Sequence, residues 1–179
     1  MINGIFILDK EGGMTSQTAV RRVQRLLGAD KAGHTGTLDP MATGVLPILL
    51  GRAVKASEYL LTGNKHYTAT LLLGLSTDTE DVTGTPLATS DSIPDEEAVM
   101  SALAAFRGEI MQTPPMYSAL KVGGKKLCDI ARAGGTVERE ARPVTVFSLG
   151  AKRLSEREYS LDVVCSKGTY IRTLCADIG

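Results

Sequence analysis

The longest apolar run in this 179-residue chain, Val45 to Leu50, spans six residues and is interrupted by Pro47. A bilayer-spanning helix needs about 20 apolar residues, so no segment here is long enough to be one. Runs of this length suit strands instead. Ile5-Phe6-Ile7-Leu8 reads as a buried strand closed by Gly12-Gly13, with further strands expected over Val45 to Leu50, Tyr67 to Leu75, Val144 to Leu149 and Tyr159 to Cys165. The Tyr67 to Leu75 strand, rich in Thr and Leu, is expected to be covered on both faces.

Between these runs lie helical patterns. Thr15 or Ser16 is placed to cap a helix in which Val20, Val23 and Leu27 recur at helical spacing, and Gly28 suits its left-handed stop. Arg21, Arg22 and Arg25 fall on its polar side, a solvated face or a phosphate contact. A short helix is expected over Ala53 to Leu61. Another opens with Pro94 at its first position and Asp95-Glu96-Glu97 at the positive dipole end, running to about Phe106, and a third covers Lys125 to Ala133. Strands and helices are interspersed without the strand-helix-strand rhythm of a parallel sheet, which indicates an α+β fold with a mixed sheet. With no repeat and no linker-like stretch, one domain is expected.

Apolar residues make up 43% and charged residues 22% of the chain, which excludes disordered and collagen-like classes. Cys128, Cys165 and Cys175 form no C-x-x-C pair, and with only His34 and His66 beside them they lack zinc-site spacing, so reduced, structural thiols are expected. The N-terminus has no cationic stretch leading into an apolar one, so no secretory signal is read and a cytoplasmic protein is expected. Twenty basic side chains balance twenty acidic ones, which argues against a general polyelectrolyte binder. The charge is nonetheless graded. Residues 1–60 hold 7 basic and 5 acidic groups, 61–120 hold 2 and 8, and 121–179 hold 11 and 7, so an anionic partner would meet the two ends and avoid the middle.

Residues 31–44 have no periodicity but three glycines and a proline, and read as a long loop of the kind that carries function. Within it Asp39 stands beside Pro40. Residue types alone favour a turn over catalysis there. Arg172, after Ser166-Lys167-Gly168-Thr169-Tyr170, offers a planar fork suited to a carboxylate, or else to a phosphate, or is a surface charge. Tyr67 is a stacking platform or a core residue. Gly33-His34-Thr35-Gly36 matches the short clamp of KH domains, which makes an RNA-binding module the runner-up, and a glycosidase-like reading pairs Asp39 with Asp78 or Asp81.

The whole of Gly33-His34-Thr35-Gly36-Thr37-Leu38-Asp39-Pro40-Met41-Ala42-Thr43-Gly44 resembles the catalytic motif of the bacterial TruB family of tRNA pseudouridine synthases. Gly4 to Lys10 with Gly13-Met14-Thr15-Ser16, Lys65-His66-Tyr67, Thr77-Asp78-Thr79, Pro115 to Lys121, Arg139 to Val144 and Cys165 to Arg172 match in order. Glu11 stands where the family commonly has proline, and Cys128 where it has an aromatic. The resemblance implies the pseudouridine synthase fold, a mixed, largely antiparallel sheet flanked by helices. It implies isomerisation of the T-loop uridine of a tRNA T-stem-loop without metal, cofactor or guide RNA, by a monomer that does not engage a membrane. Asp39 matches the catalytic carboxylate and Arg172 its partner, while Tyr67 matches the residue that stacks on the flipped base. His34 matches the residue inserted among the loop bases and Tyr170 a pocket contact. Family members continue past Gly179, so residues 1–179 are expected to be a catalytic domain incomplete at its C-terminal end, without the RNA-binding PUA domain.

Overall fold

A computed structural model describes residues 2–179, which form two compact units, the first ending at Gly63 and the second running Asn64–Gly179. The first unit contains β1 (Gly4–Lys10), α1 (Ser16–Leu26), β2 (Ala32–His34), β3 (Gly44–Leu50) and, after a 3-10 turn over Gly51–Ala56, the short α2 (Ser57–Leu60). Its three strands pair antiparallel in the order β1-β3-β2.

Helix α1 forms as its caps dictate. The Thr15 hydroxyl accepts from the Thr18 amide at 3.1 Å, and Gly28 takes a φ of 61° just past the end. Its apolar stripe, Ala19, Val20 and Val23, packs against Leu46, Ile48 and Leu50 of β3 to make the core of the unit, while Arg21, Arg22 and Arg25 stay exposed. Two expectations change here. The loop predicted over 31–44 begins with a strand, because Ala32, Gly33 and His34 pair with Leu50, Leu49 and Ile48. Strand β1 is not buried: it is the edge of its sheet, and Ile5, Phe6 and Ile7 are exposed.

The second unit contains β4 (Lys65–Leu72), β5 (Leu75–Thr77), β6 (Pro86–Thr89), α3 (Glu96–Leu103), β7 (Gly108–Gln112), β8 (Lys121–Val122), β9 (Lys125–Lys126), α4 (Leu127–Arg132), β10 (Arg142–Arg153), β11 (Glu158–Cys165) and α5 (Ile171–Ile178). Four strands form an antiparallel sheet in the order β4-β11-β10-β7, and two hairpins, β5-β6 and β8-β9, stand apart from it. Strand β11 alternates as a half-buried strand should: Tyr159, Leu161, Val163 and Cys165 point into the core with Leu71, Leu103, Val146 and Leu174, while Asp162 faces out. Strand β4 alternates too, with His66, Thr68 and Thr70 exposed, so the expected two-sided cover is absent and its threonines lie on an open face. Helix α3 starts one residue after the Asp95 cap, whose carboxylate accepts from the Ala98 amide at 2.8 Å. Pro94 therefore precedes the cap rather than occupying the first helical position.

The α+β class and the largely antiparallel pairing agree with the sequence, and among the described residues every strand pair is antiparallel, with no parallel pair to make a sheet mixed. No helix among the described residues is long and apolar enough to cross a membrane.

Candidate active site

In the first unit the loop 35–43 is held by the turn between β1 and α1. Lys10 is 1% exposed, and its ammonium donates to the carbonyls of Glu11 and Met14 at 2.9 Å and of Pro40 at 3.2 Å. Three donors thus meet three acceptors. Burial pushes the Lys10 ammonium below the usual lysine value, and the nearby charge of Asp39 works the other way. The Pro40 carbonyl also accepts from the Gly13 amide at 2.8 Å, so both flanks of the turn grip the residue after Asp39. On the other side the buried Ser16 hydroxyl donates to the Leu38 carbonyl and accepts from the Leu38 amide, both at 2.9 Å. Asp39 therefore sits between two residues whose backbones are pinned. Gly12 completes the clamp, since a Cβ there would lie 3.3 Å from the Met41 carbonyl oxygen. His34 ends β2, with a buried Nδ1 that has no hydrogen-bond partner among the described residues.

In the second unit Arg172 lies in the first turn of α5, its side chain 12% exposed. Its guanidinium donates to the carbonyls of Thr79 at 2.6 Å and Tyr117 at 2.9 Å, and its Nε lies 3.8 Å from an Asp81 carboxylate oxygen. Burial alone would raise the Asp81 carboxyl. Hydrogen bonds from Thr83 and Thr79 together with the Arg172 charge outweigh it and hold Asp81 below the ordinary carboxylate value. The turn that supplies these groups is tightly wound: Glu80 takes a φ of 60°, and its carboxylate accepts from the Thr173 hydroxyl of α5. Asp78 accepts from the Thr85 amide at 2.7 Å.

Tyr170 caps α5 through its backbone, two residues before Arg172. Tyr67 is half-buried on β4 opposite Val163 and packs against the core to which Leu174 of α5 belongs. Tyr67, Tyr170 and Arg172 thus belong to the second unit, Tyr67 on its core and the other two at the start of α5, whereas His34 and Asp39 belong to the first.

Sequence reasoning treated Asp81 only as one choice of acid or base partner for Asp39. Its lowered pKa is the reverse of what a general acid needs, so Asp81 does not suit the acid role in that pairing. Its actual place, beside Arg172, was signalled only by the Thr77-Asp78-Thr79 match. The short clamp match Gly33 to Gly36 straddles the end of β2 instead of forming a loop of its own.

Comparison with known proteins follows the same lines. Residues 24–171 match the TruB family pseudouridylate synthase N-terminal domain. The chain is 52% identical, over all of its length, to the tRNA pseudouridine synthase B of Aromatoleum aromaticum, and 52% identical over 99% of its length to that of Pasteurella multocida. It spans 58% of the length of each. Among solved structures, a Cbf5-Nop10-Gar1 complex contains a chain similar over 98% of this one and 43% of its own length, with a TM-score of 0.72 and 32% identity. An H/ACA ribonucleoprotein bound to a substrate RNA containing 2'-deoxyuridine matches 98% of this chain and 42% of its own, with a TM-score of 0.71 and 27% identity.

Proposed function

The chain belongs to the TruB family of pseudouridylate synthases, and on that premise we propose that it isomerises the T-loop uridine of tRNA to pseudouridine. The observation that carries the reading is the 52% identity, over the whole chain, to relatives named tRNA pseudouridine synthase B. The reaction breaks the bond from N1 to C1' and makes one from C5 to C1'. N1 gains a proton and C5 loses one, so no electrons are exchanged overall. The target base must leave its stack first, which costs a few kcal/mol, and the protein must supply contacts that offset the cost.

The residues divide that work. Asp39 carries the covalent chemistry, attacking C1' or acting as base on the ribose, and the pinned loop keeps its carboxylate from wandering. Arg172 takes the role of that carboxylate's cationic partner in the proposed reaction, and within its own unit Asp81 with the Thr79 and Tyr117 carbonyls fixes it. Tyr67 provides the face on which the flipped base stacks, His34 enters the disrupted RNA loop, and Tyr170 lines the base pocket.

The bacterial relatives are the nearer in sequence, at 52% identity against 27% and 32% for the two ribonucleoprotein chains, which favours action without a guide RNA. The test is incubation of the full-length polypeptide with an unmodified T-stem-loop RNA alone, reading carbodiimide adducts. Adduct at the T-loop uridine without any guide is expected. Binding without adduct, or adduct only when a guide RNA and accessory proteins are added, overturns the reading.

A further inference from the structure

Gln112, the last residue of β7, is 2% exposed, and none of the roles assigned above uses it. Its side chain pairs with the main chain of Tyr170 in both directions: Nε2 donates to the Tyr170 carbonyl at 3.0 Å, and Oε1 accepts from the Tyr170 amide at 2.8 Å. A primary amide here imitates a strand partner for one residue 58 positions away. The geometry matters because of what lies on either side. Tyr170 caps α5 with no side-chain cap of its own, so Gln112 satisfies an amide at the helix entrance and fixes where the first turn, and Arg172 in it, begins. On the other flank, Gln112 leads directly into the segment 113–117, with buried Pro114 and Pro115 and a bend at Met116 and Tyr117; the Tyr117 carbonyl receives the Arg172 guanidinium. One side chain therefore sets the backbone origin of Arg172 in register with an acceptor that orients its tip.

We infer that Gln112 is a positioning residue for the reaction, acting through Tyr170 and Arg172 to hold the site's cation and pocket wall in their productive arrangement. The inference rests on the functional reading above. No other natural side chain supplies a donor and an acceptor at this spacing and reach without charge, so removing it takes the partner from the Tyr170 amide, leaves the Tyr170 carbonyl only its helical bond from the Leu174 amide at 3.0 Å, and frees the helix start to shift. Displacements on the order of 1 Å at a reacting centre fall on turnover more than on binding.

The test compares wild type, Gln112→Met and Gln112→Glu in the full-length polypeptide. Turnover of unmodified T-stem-loop RNA is measured beside amide hydrogen exchange at Tyr170. Methionine keeps the length and loses both hydrogen bonds; kcat is expected to fall about tenfold or more with KM within about threefold, and the Tyr170 amide to exchange at least about tenfold faster, as the loss of a buried hydrogen-bonded pair implies. Should Gln112→Met fail to fold, the same split is read on Gln112→Glu, which keeps the acceptor for the Tyr170 amide and loses the donor. A folded variant whose kcat stays within about twofold of wild type, or whose loss appears equally in KM, overturns the inference while leaving the function intact. Wild-type protein that does not isomerise the RNA overturns the functional reading, and the inference with it.

Discussion

Arg172 shows how much one side chain's chemistry matters here. Its guanidinium meets the Thr79 and Tyr117 carbonyls and approaches Asp81, each from a different nitrogen of one planar fork, a geometry that a point ammonium does not reproduce. Arg172→Lys is therefore expected to lose most activity despite keeping the charge, measured as single-turnover isomerisation; activity near wild type would reduce Arg172 to a point charge. Asp81 makes a pH prediction. Its folded-state pKa lies below its unfolded value, so its ionised form stabilises the fold above roughly pH 4, and that contribution disappears as the pH falls through the folded value. Urea unfolding between about pH 6 and 3 should show wild type losing more stability than Asp81→Asn; parallel curves would contradict the assignment. For Tyr67, stacking on a flipped base is worth about 1 to 3 kcal/mol, so Tyr67→Leu should be slower than Tyr67→Phe by a comparable amount. Equal rates for the two would return Tyr67 to the core alone.

Among the elements, those legible in the sequence are the ones decided locally. Helix α1 is written in Thr15, its valine spacing and Gly28, and β11 in the alternation from Tyr159 to Cys165. Strand β2 is not, because Ala-Gly-His becomes a strand only by pairing with β3. The hairpin β5-β6 and the short β7 were missed for the same reason: a few residues carry no period, and their state is set by partners distant in sequence. The hairpin β8-β9 pairs within six residues, and its signal is the Gly123-Gly124 turn between strands too short to show a period. The site divides similarly. Asp39 and Arg172 stand in contiguous motifs, whereas the clamp of Lys10 on Pro40 and the bonds of Arg172 to Thr79 and Tyr117 link residues 30, 93 and 55 positions apart. The turn before β6 offers the sharpest test at this scale. A Cβ on Gly84 would collide with the Thr79 hydroxyl and Asp78 and lie 2.9 Å from the Thr79 amide. Gly84→Ala should destabilise the second unit by about 1 to 3 kcal/mol, as overpacking does, and lower activity through the Thr79 and Asp81 groups that hold Arg172. Unchanged unfolding and turnover would show that the turn tolerates what the geometry forbids.

At the scale of the whole molecule, each unit holds its own set of groups. A small sheet with α1 pins a carboxylate-bearing loop, and a four-stranded sheet with α5 and its acidic turn presents an arginine and two tyrosines. The charge gradient along the chain is compatible with RNA meeting its ends, although Tyr67 lies in the acidic middle, so linear blocks of charge locate a partner only coarsely. In the proposed reaction Asp39 performs an isomerisation in which C5 of the target uridine loses its hydrogen. T-stem-loop RNA carrying tritium at C5 of that uridine therefore reports the reaction directly, by tritium released to water from the wild-type full-length polypeptide and from Asp39→Asn. Release approaching one tritium per target uridine is expected with wild type and none above background with Asp39→Asn, whose RNA affinity and unfolding stay close to wild type because the loop's backbone contacts survive. Sustained release by Asp39→Asn, with wild-type contamination excluded, or no release by a folded wild type that binds the RNA, would contradict the proposed reaction.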